Sequence, residues 1–405
     1  MGSASNRRIK IMVCVVGALV LCGSCGEVLA SPSTPDNAAL LYYQACLARS
    51  GLPLPWGLAG AHDENHLAEE TKLLSGNEYR LVIDLTMAGT RIRKCDWGLW
   101  VSGRWTPDGA LGHGPESLGR VLAAQATILA MNGQYSEAIE IIAALRRLSR
   151  HIGDDTYVMW ASSFTVDYQT FGVAQYLLCR MPADADRLKS LESELAEDRQ
   201  WQPSNTLMKW YDMQVASLQA SMALHSDWRQ ALRTELEAYR MREGDTAEKL
   251  IESATAPKQV FDHVRQVYKR FVDSVIAVLE SDESYHAKHK QIVQLKDELV
   301  ADMEAGDAII LVAGPIGFVE PCYRLHINEL ALAHAVQAAI PIYRVKSTTG
   351  RLPPTLPAGL PKDPYSSQDF DYHVTDEGFS LTCRAPAIDW GQENNPRRFV
   401  FEAAE

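Results

Sequence analysis

PESLGRVLAAQATILAMNGQYSEAIEIIAALRRLSRH, residues 115–151, is the stretch on which the fold turns. Leu118, Val121, Leu122, Ile128 and Leu129 recur at the three- and four-residue intervals of one helical face. Pro115 suits a first helical turn, where its missing N–H costs nothing. Gly133 then interrupts the pattern, as a residue that readily leaves helical backbone angles. The period resumes with Ala138, Ile139, Ile142, Leu145 and Leu148. The spacing predicts two helices, over 115–132 and 135–151, folded back on each other through a tight turn.

Ala126, Leu129, Gly133, Tyr135, Ala138, Ile139 and Ile142 place small residues at the helix contact, glycine in the turn and an aromatic at the start of the second helix. That arrangement resembles a tetratricopeptide hairpin. The 34-residue recurrence of a repeat array is missing, so a generic helical hairpin is the plainer reading.

The same periodicity extends in both directions. Thr34 and Pro35 read as a helix start, and Gly51 as its end. Helical patterns occupy 63–75, 78–95, 155–180, 184–199, 204–224, 227–242 and 245–254. Between them, Asp96–Gly114 reads as a long loop in which Trp97, Trp100 and Trp105 act as packing anchors. Pro257 opens a strongly striped helix to Ser281, and Tyr285, Ile292 and Leu299 continue at heptad spacing in the next. The two predict a long antiparallel hairpin. Ala308–Val319 is broken by Gly314, Pro315 and Gly317 and reads as a buried turn. A last helix covers 320–345, with Pro341 expected to disturb its end. Strands follow at 369–374 and 378–383, joined by Thr375-Asp376-Glu377, and 398–402 offers a third. The expected fold is mainly α: an irregular multi-helix bundle with one tetratricopeptide-like hairpin and a small C-terminal β-hairpin tail. Its segments are a signal peptide (1–30), a helical domain (31–255), a long hairpin with connecting helix (256–345) and the tail (346–405).

The N-terminus predicts export. Arg7, Arg8 and Lys10 precede an uncharged apolar run, Ile11–Cys25, and Val28-Leu29-Ala30 presents small residues for cleavage between Ala30 and Ser31. The run is short against the roughly 20 residues of a membrane span. An uncleaved N-terminal tether is the alternative. The product would be periplasmic or secreted, with no span in the mature chain. Formal charge is −12; the leader contributes +2, from three bases and Glu27, which leaves −14. So acidic a surface repels phosphate backbones, which argues against nucleic acid as a partner. Five cysteines follow Ala30, and Cys46 with Cys95 and Cys322 with Cys383 are the expected disulfides; buried thiols are the other reading.

Motifs for chemistry are sparse. His62 and His66 lie four apart, on one face if helical, as two ligands of a divalent metal would. Asp63, not Glu, follows the first histidine, and no third ligand is marked, so a solvated helix start is the plainer reading. His286 and His289 read as surface residues beside Lys288 and Lys290; His326 and His334 read as buried and hydrogen-bonded. Nucleophile-elbow, phosphate-loop and dinucleotide motifs are missing. No cofactor is implied.

The tail carries a resemblance. Gly350-Arg351-x-Pro353, Leu356, Pro361-x-Asp363-Pro364, Phe370-x-Tyr372 and Gly378-Phe379-x-Leu381, in that order after a helix, resemble the globular module of type II secretion pseudopilins. Asp36-Asn37-Ala38-Ala39 with Tyr42-Tyr43, Cys95-Asp96-Trp97-Gly98-Leu99, and Leu145 through His151-Ile152-Gly153 resemble uncharacterised exported helical proteins of planctomycete-type bacteria. A pseudopilin keeps an apolar helix directly after its processing site; here a polar linker follows, so the resemblance implies a shared module and not filament assembly. The expected function is that of a non-enzymatic interaction or envelope-associated protein with a protein partner in the cell envelope. The alternatives are a metal-dependent hydrolase around His62 and His66, and an accessory component of a secretion apparatus.

Overall fold

The structure is a computed structural model. It describes residues 35–55, 64–97, 100–101, 104–105, 114–153, 157–196, 212, 219, 222, 225–238, 249, 251–305, 313–386 and 396–402. The described helices are α1 (Ala38–Arg49), α2 (Glu64–Leu74), α3 (Asn77–Thr90), α4 (Gly114–Met131), α5 (Tyr135–Gly153), α6 (Tyr157–Arg180), α7 (Ala185–Leu195), α8 (Trp228–Ala238), α9 (Pro257–Glu280), α10 (Tyr285–Ala305) and α11 (Ala313–Thr349). Trp100–Val101 (β1) and Arg104–Trp105 (β2) form a short antiparallel ladder inside the stretch expected to be loop. Asp371–Thr375 (β3), Gly378–Pro386 (β4) and Pro396–Glu402 (β5) form a three-stranded antiparallel sheet in that order. The protein is mainly helical with a small C-terminal sheet.

The hairpin of residues 115–151 forms as its periodicity dictates. Leu118, Val121, Leu122, Ile142, Leu145 and Leu148 are all fully buried. At the turn Gly133 takes a φ of +74°, which an L side chain resists. Its N–H reaches Ala130 O at 3.2 Å and the next, of Gln134, reaches Leu129 O at 2.9 Å. Two carbonyls orphaned by the end of α4 are thereby satisfied.

α1 and α11 depart from the expectation, each for a local reason. α1 starts at Ala38 and not at Pro35, because Asn37 is its cap: the Asn37 side chain accepts from Ala39 N at 3.2 Å. α11 starts at Ala313, so the expected turn at Gly314–Gly317 is its first turn. Pro315 lies where a helix has no partner for its N–H anyway. α11 also continues through Pro341 to Thr349. Ala335, Ala338, Ala339, Ile340 and Ile342 are fully buried around that proline, and packing holds the helix against the local preference.

One cluster of buried side chains runs from Ala38 to Phe401. It crosses both segment boundaries drawn from the sequence, at 255/256 and 345/346, and compact packing groups Asn37–Glu405 into one unit. A satellite cluster joins Met222, Leu232, Ile251 and Ala254 to Val260, Phe261 and Val264 at the start of α9. The rest of α9, from Val267 to Val278, belongs to the main core. On α10, Tyr285, Ile292 and Leu299 are buried at the heptad spacing. Among the described residues, no helix is long and apolar enough to cross a membrane.

α1 and α3 meet at close range at Gly89. A Cβ there would lie 2.6 Å from Cε1 of Tyr42, whose ring is fully buried and cannot retreat. Gly89→Ala should therefore destabilise the chain by about 1–3 kcal/mol in urea unfolding, through overpacking. Unchanged stability would show that this helix contact is looser.

Candidate functional site

Residues from the motifs at 36–43 and 145–153, and Asp96 and Trp97 of the motif at 95–99, converge on one clasp. Asn37 Nδ2 donates to Asp96 O at 2.8 Å, and Asp96 N donates back to Asn37 Oδ1 at 2.9 Å. Tyr42 stacks on Trp97 at 5.4 Å between centroids. Its phenol shares a 2.8 Å hydrogen bond with His151 Nδ1, while Trp97 Nε1 donates to His151 O at 2.7 Å. Tyr43 OH donates to Trp97 O. The first helix, the segment after α3 and the end of α5 are thus tied by side chains from all three. Burial pushes the Tyr42 phenol far above its ordinary range. It is a neutral hydrogen-bonding group here and not a base.

A line of buried charge continues from the end of α5. Arg146 Nη1 and Asp167 Oδ1 lie 2.6 Å apart, with 6 % and 3 % of their side chains exposed. The Arg146 guanidinium also covers the Phe171 ring at 5.0 Å. Ser149 Oγ donates to Ser163 O at 3.1 Å. On the next helix, Phe164 packs against the His326 ring at 5.1 Å, and Glu329 Oε2 lies 3.8 Å from His326 Nδ1. Nothing in the sequence marks Arg146 or Asp167, because their partners are on different helices 21 residues apart.

A second buried group joins α10, α11 and the tail. His289 Nε2 lies 2.7 Å from Glu320 Oε1, both largely buried, which corrects the surface reading of His289. Tyr285 is ringed by His286, Tyr323 and Tyr365 at 5.2–5.4 Å. Tyr365 OH donates to Asn328 Oδ1. His334 Nδ1 donates to Lys362 O at 2.6 Å, so the hydrogen-bonded half of its reading holds, but the residue is only partly buried, at the edge of the packed helix. Asp363 of the Pro-x-Asp-Pro motif is wholly buried and organises the loop before the sheet. It accepts from Tyr365 N at 2.9 Å, Ser366 Oγ at 2.6 Å and Arg384 N at 2.9 Å.

His62 and the cleavage pair Ala30 and Ser31 lie outside the described residues. His66 falls in the first turn of α2, and its side chain is likewise outside them. Among the described residues, no cluster of three or more His, Cys, Asp or Glu is placed to hold a metal. No disulfide joins Cys46 to Cys95 or Cys322 to Cys383; all five cysteines stand as thiols. The expectation came from redox compartment alone, whereas Cys46 and Cys322 are both packed in the core.

On the outer side of the bundle, α5 and α7 flank an open groove of about 370 Å³. Ile139 and Ala143 form its floor; Glu140 and Arg147 of α5 and Asp186, Arg187 and Glu194 of α7 line it. The α5 residues recur at helical intervals over Ser136 to Arg147, so the groove runs for about 16 Å along the helix. None of these five charges forms an ion pair among the described residues. The Arg187 guanidinium instead covers Tyr135 at 5.4 Å, and Arg147 Nε donates to Ala143 O at 3.1 Å. The groove can bind by charge and shape; the buried clusters serve as ties between helices.

Two measurements test this division. Asp167→Leu alone should cost about 3–5 kcal/mol in urea unfolding, by stranding a buried guanidinium. Arg146→Met with Asp167→Leu should recover most of that loss, and an equal cost in the double variant would show that no desolvated pair exists. Burial pushes the Cys46 and Cys179 thiols up to about 11, so both are protonated at neutral pH. Iodoacetamide at pH 8 should leave them unmodified in the native chain, and denaturation without reductant should expose all five thiols. A titre of one would restore both expected disulfides.

No family model, curated protein or solved structure matches this chain.

Proposed function

We propose that this is an exported, non-enzymatic protein of the cell envelope or its exterior, whose helical body holds a protein partner. The observation that carries the reading is the α5–α7 groove, a trough with five charges of both signs that do not neutralise one another. Its size is that of a pocket for a few side chains. Five of its nine lining residues are charged and two are serines, which favours a polypeptide segment of complementary charge over an apolar small molecule. Placement on two packed helices gives the surface a fixed shape. Support for export is the basic start, the apolar run Ile11–Cys25 and the small residues before Ser31.

An accessory role in a secretion apparatus is the second reading. It is favoured by the 37-residue helix α11 leading into an antiparallel sheet, the order of elements that the tail motif implies. Analogy at the level of a module is its whole support.

The mature chain should retain a protein from envelope extract, and Arg147→Glu with Arg187→Glu should reduce that retention at least about tenfold. Both side chains are on the surface, so circular dichroism should be unchanged. Lys258→Glu with Lys269→Glu, a reversal of equal size on α9, should leave retention intact. Equal retention by all three chains, or none by the wild type, would sink the groove as the binding surface.

A further inference from the structure

The folded body begins where Asn37 and Ala38 are bound to the segment that follows α3. Ala38 N donates to Lys94 O at 2.9 Å, beside the two bonds exchanged by Asn37 and Asp96. That segment carries Arg91, Arg93 and Lys94 within four positions, all exposed. Among the described residues, none of the three side chains has an ion-pair or hydrogen-bond partner. Lys258 and Lys269, by contrast, are exposed cations neutralised in place, by Asp262 and Asp273, each at 2.6 Å; what sets Arg91, Arg93 and Lys94 apart is that three cations stand together. Asp36 and Asp96 are the acids nearest in the chain, which leaves these five residues at +1. The chain beyond residue 30 as a whole carries −14, from −12 less the leader's +2.

We propose that Arg91, Arg93 and Lys94 form a docking face for anionic lipid headgroups, beside the point where the leader joins the body. Charge distribution selects this occupant. An acidic body is repelled by an anionic surface, and at physiological salt that repulsion acts within a Debye length of about 8 Å. The face that can approach closest is therefore one that presents unneutralised cations, and approach through it orients the body. Each cation near such a surface strengthens binding about fivefold, and three together about a hundredfold. That is too little to hold a protein alone and enough to act as the second of two membrane signals. The first is the apolar run Ile11–Cys25, which ends twelve residues before Asn37. Extended chain of that length reaches about 40 Å, so an uncleaved run would keep the cations close to the headgroups. The setting rests on the export reading; the surface chemistry does not.

The compact unit begins at Asn37, so a chain starting at Ser31 keeps all of it. A hexahistidine tag placed before Ser31 substitutes for the leader and tethers the body to vesicles bearing nickel-chelating lipid. Addition of phosphatidylglycerol to those vesicles should tighten retention roughly tenfold or more, and salt should erase the gain. Arg91→Gln, Arg93→Gln and Lys94→Gln together should turn the gain into a loss, since the acidic remainder is then repelled. Lys258→Gln with Lys269→Gln should keep it. No gain in the wild type, or a gain kept by the triple variant, overturns the proposal. N-terminal sequencing of the exported form separately decides the leader, and neither result there alters the vesicle comparison.

Discussion

Asp167 and Arg146 lie 2.6 Å apart inside the bundle, and the helix that carries the acid, α6, packs against α4, α5, α11 and β5. Phe164 on α6 meets His326 of α11. Val166, two residues on, approaches Gly119 of α4 so closely that a Cβ there would lie 2.9 Å from its methyl. Gln175, further along, donates to Val400 O in β5 at 2.9 Å. A buried ion pair adds little net stability, because taking both charges out of water costs about what their attraction returns. Its effect is on register. A slip of one residue along α6 would rotate Asp167 away from Arg146 and strand two charges in the core, while Phe164, Val166 and Gln175 left their partners together. One electrostatic contact thus penalises the misalignments that an apolar core of small residues would tolerate.

How much of this is legible in the sequence depends on whether a helix has two faces. α5 and α9 each bury one stripe and solvate the other, so their period predicts both helix and core: Ile142, Leu145, Leu148, Val264 and Val275 are all buried. The tail strands were equally readable, because Phe370, Phe379 and Leu381 flank a two-residue turn and bury at 0–2 % exposure. α6 has neighbours on several sides and shows little asymmetry, so nothing in its pattern distinguishes Asp167 from a solvated acid. Arg146 and Arg147 make the same point. They are adjacent and chemically identical, yet one is in the core and the other lines the groove. Proline misled for a related reason. Pro341 removes one hydrogen bond, a local cost that the surrounding buried alanines outweigh only through contacts distant in sequence.

The tail is not an appendage. Phe379 stacks on Phe401 at 5.0 Å and meets Tyr343 of α11 at 5.4 Å. Tyr343 OH donates to Glu402 O at 2.5 Å. Together with Gln175, this covers carbonyls on the outer edge of β5, the edge through which a sheet would otherwise recruit another strand. Tyr372 OH, donating to Pro353 O at 2.9 Å, fixes the other end of the sheet to the loop that leads in from α11. A module secured by side chains from α6 and α11 shares their stability. Whatever the motif does in other proteins, here it completes a core that begins at Ala38.

The second cluster has the opposite character. Seven of its buried residues are among those described, and α9 contributes three of them before passing into the larger cluster. Arg229 ties α8 to the chain just before α9: Nε and Nη2 donate to Ile251 O and Ala254 O at 3.1 and 2.6 Å. The groove is built on two helices of the main core, and the clasp at Asn37 and the cations after α3 lie in segments bound to that core. Charges anchored on a packed core keep a fixed spacing, which is what the proposed docking surfaces require.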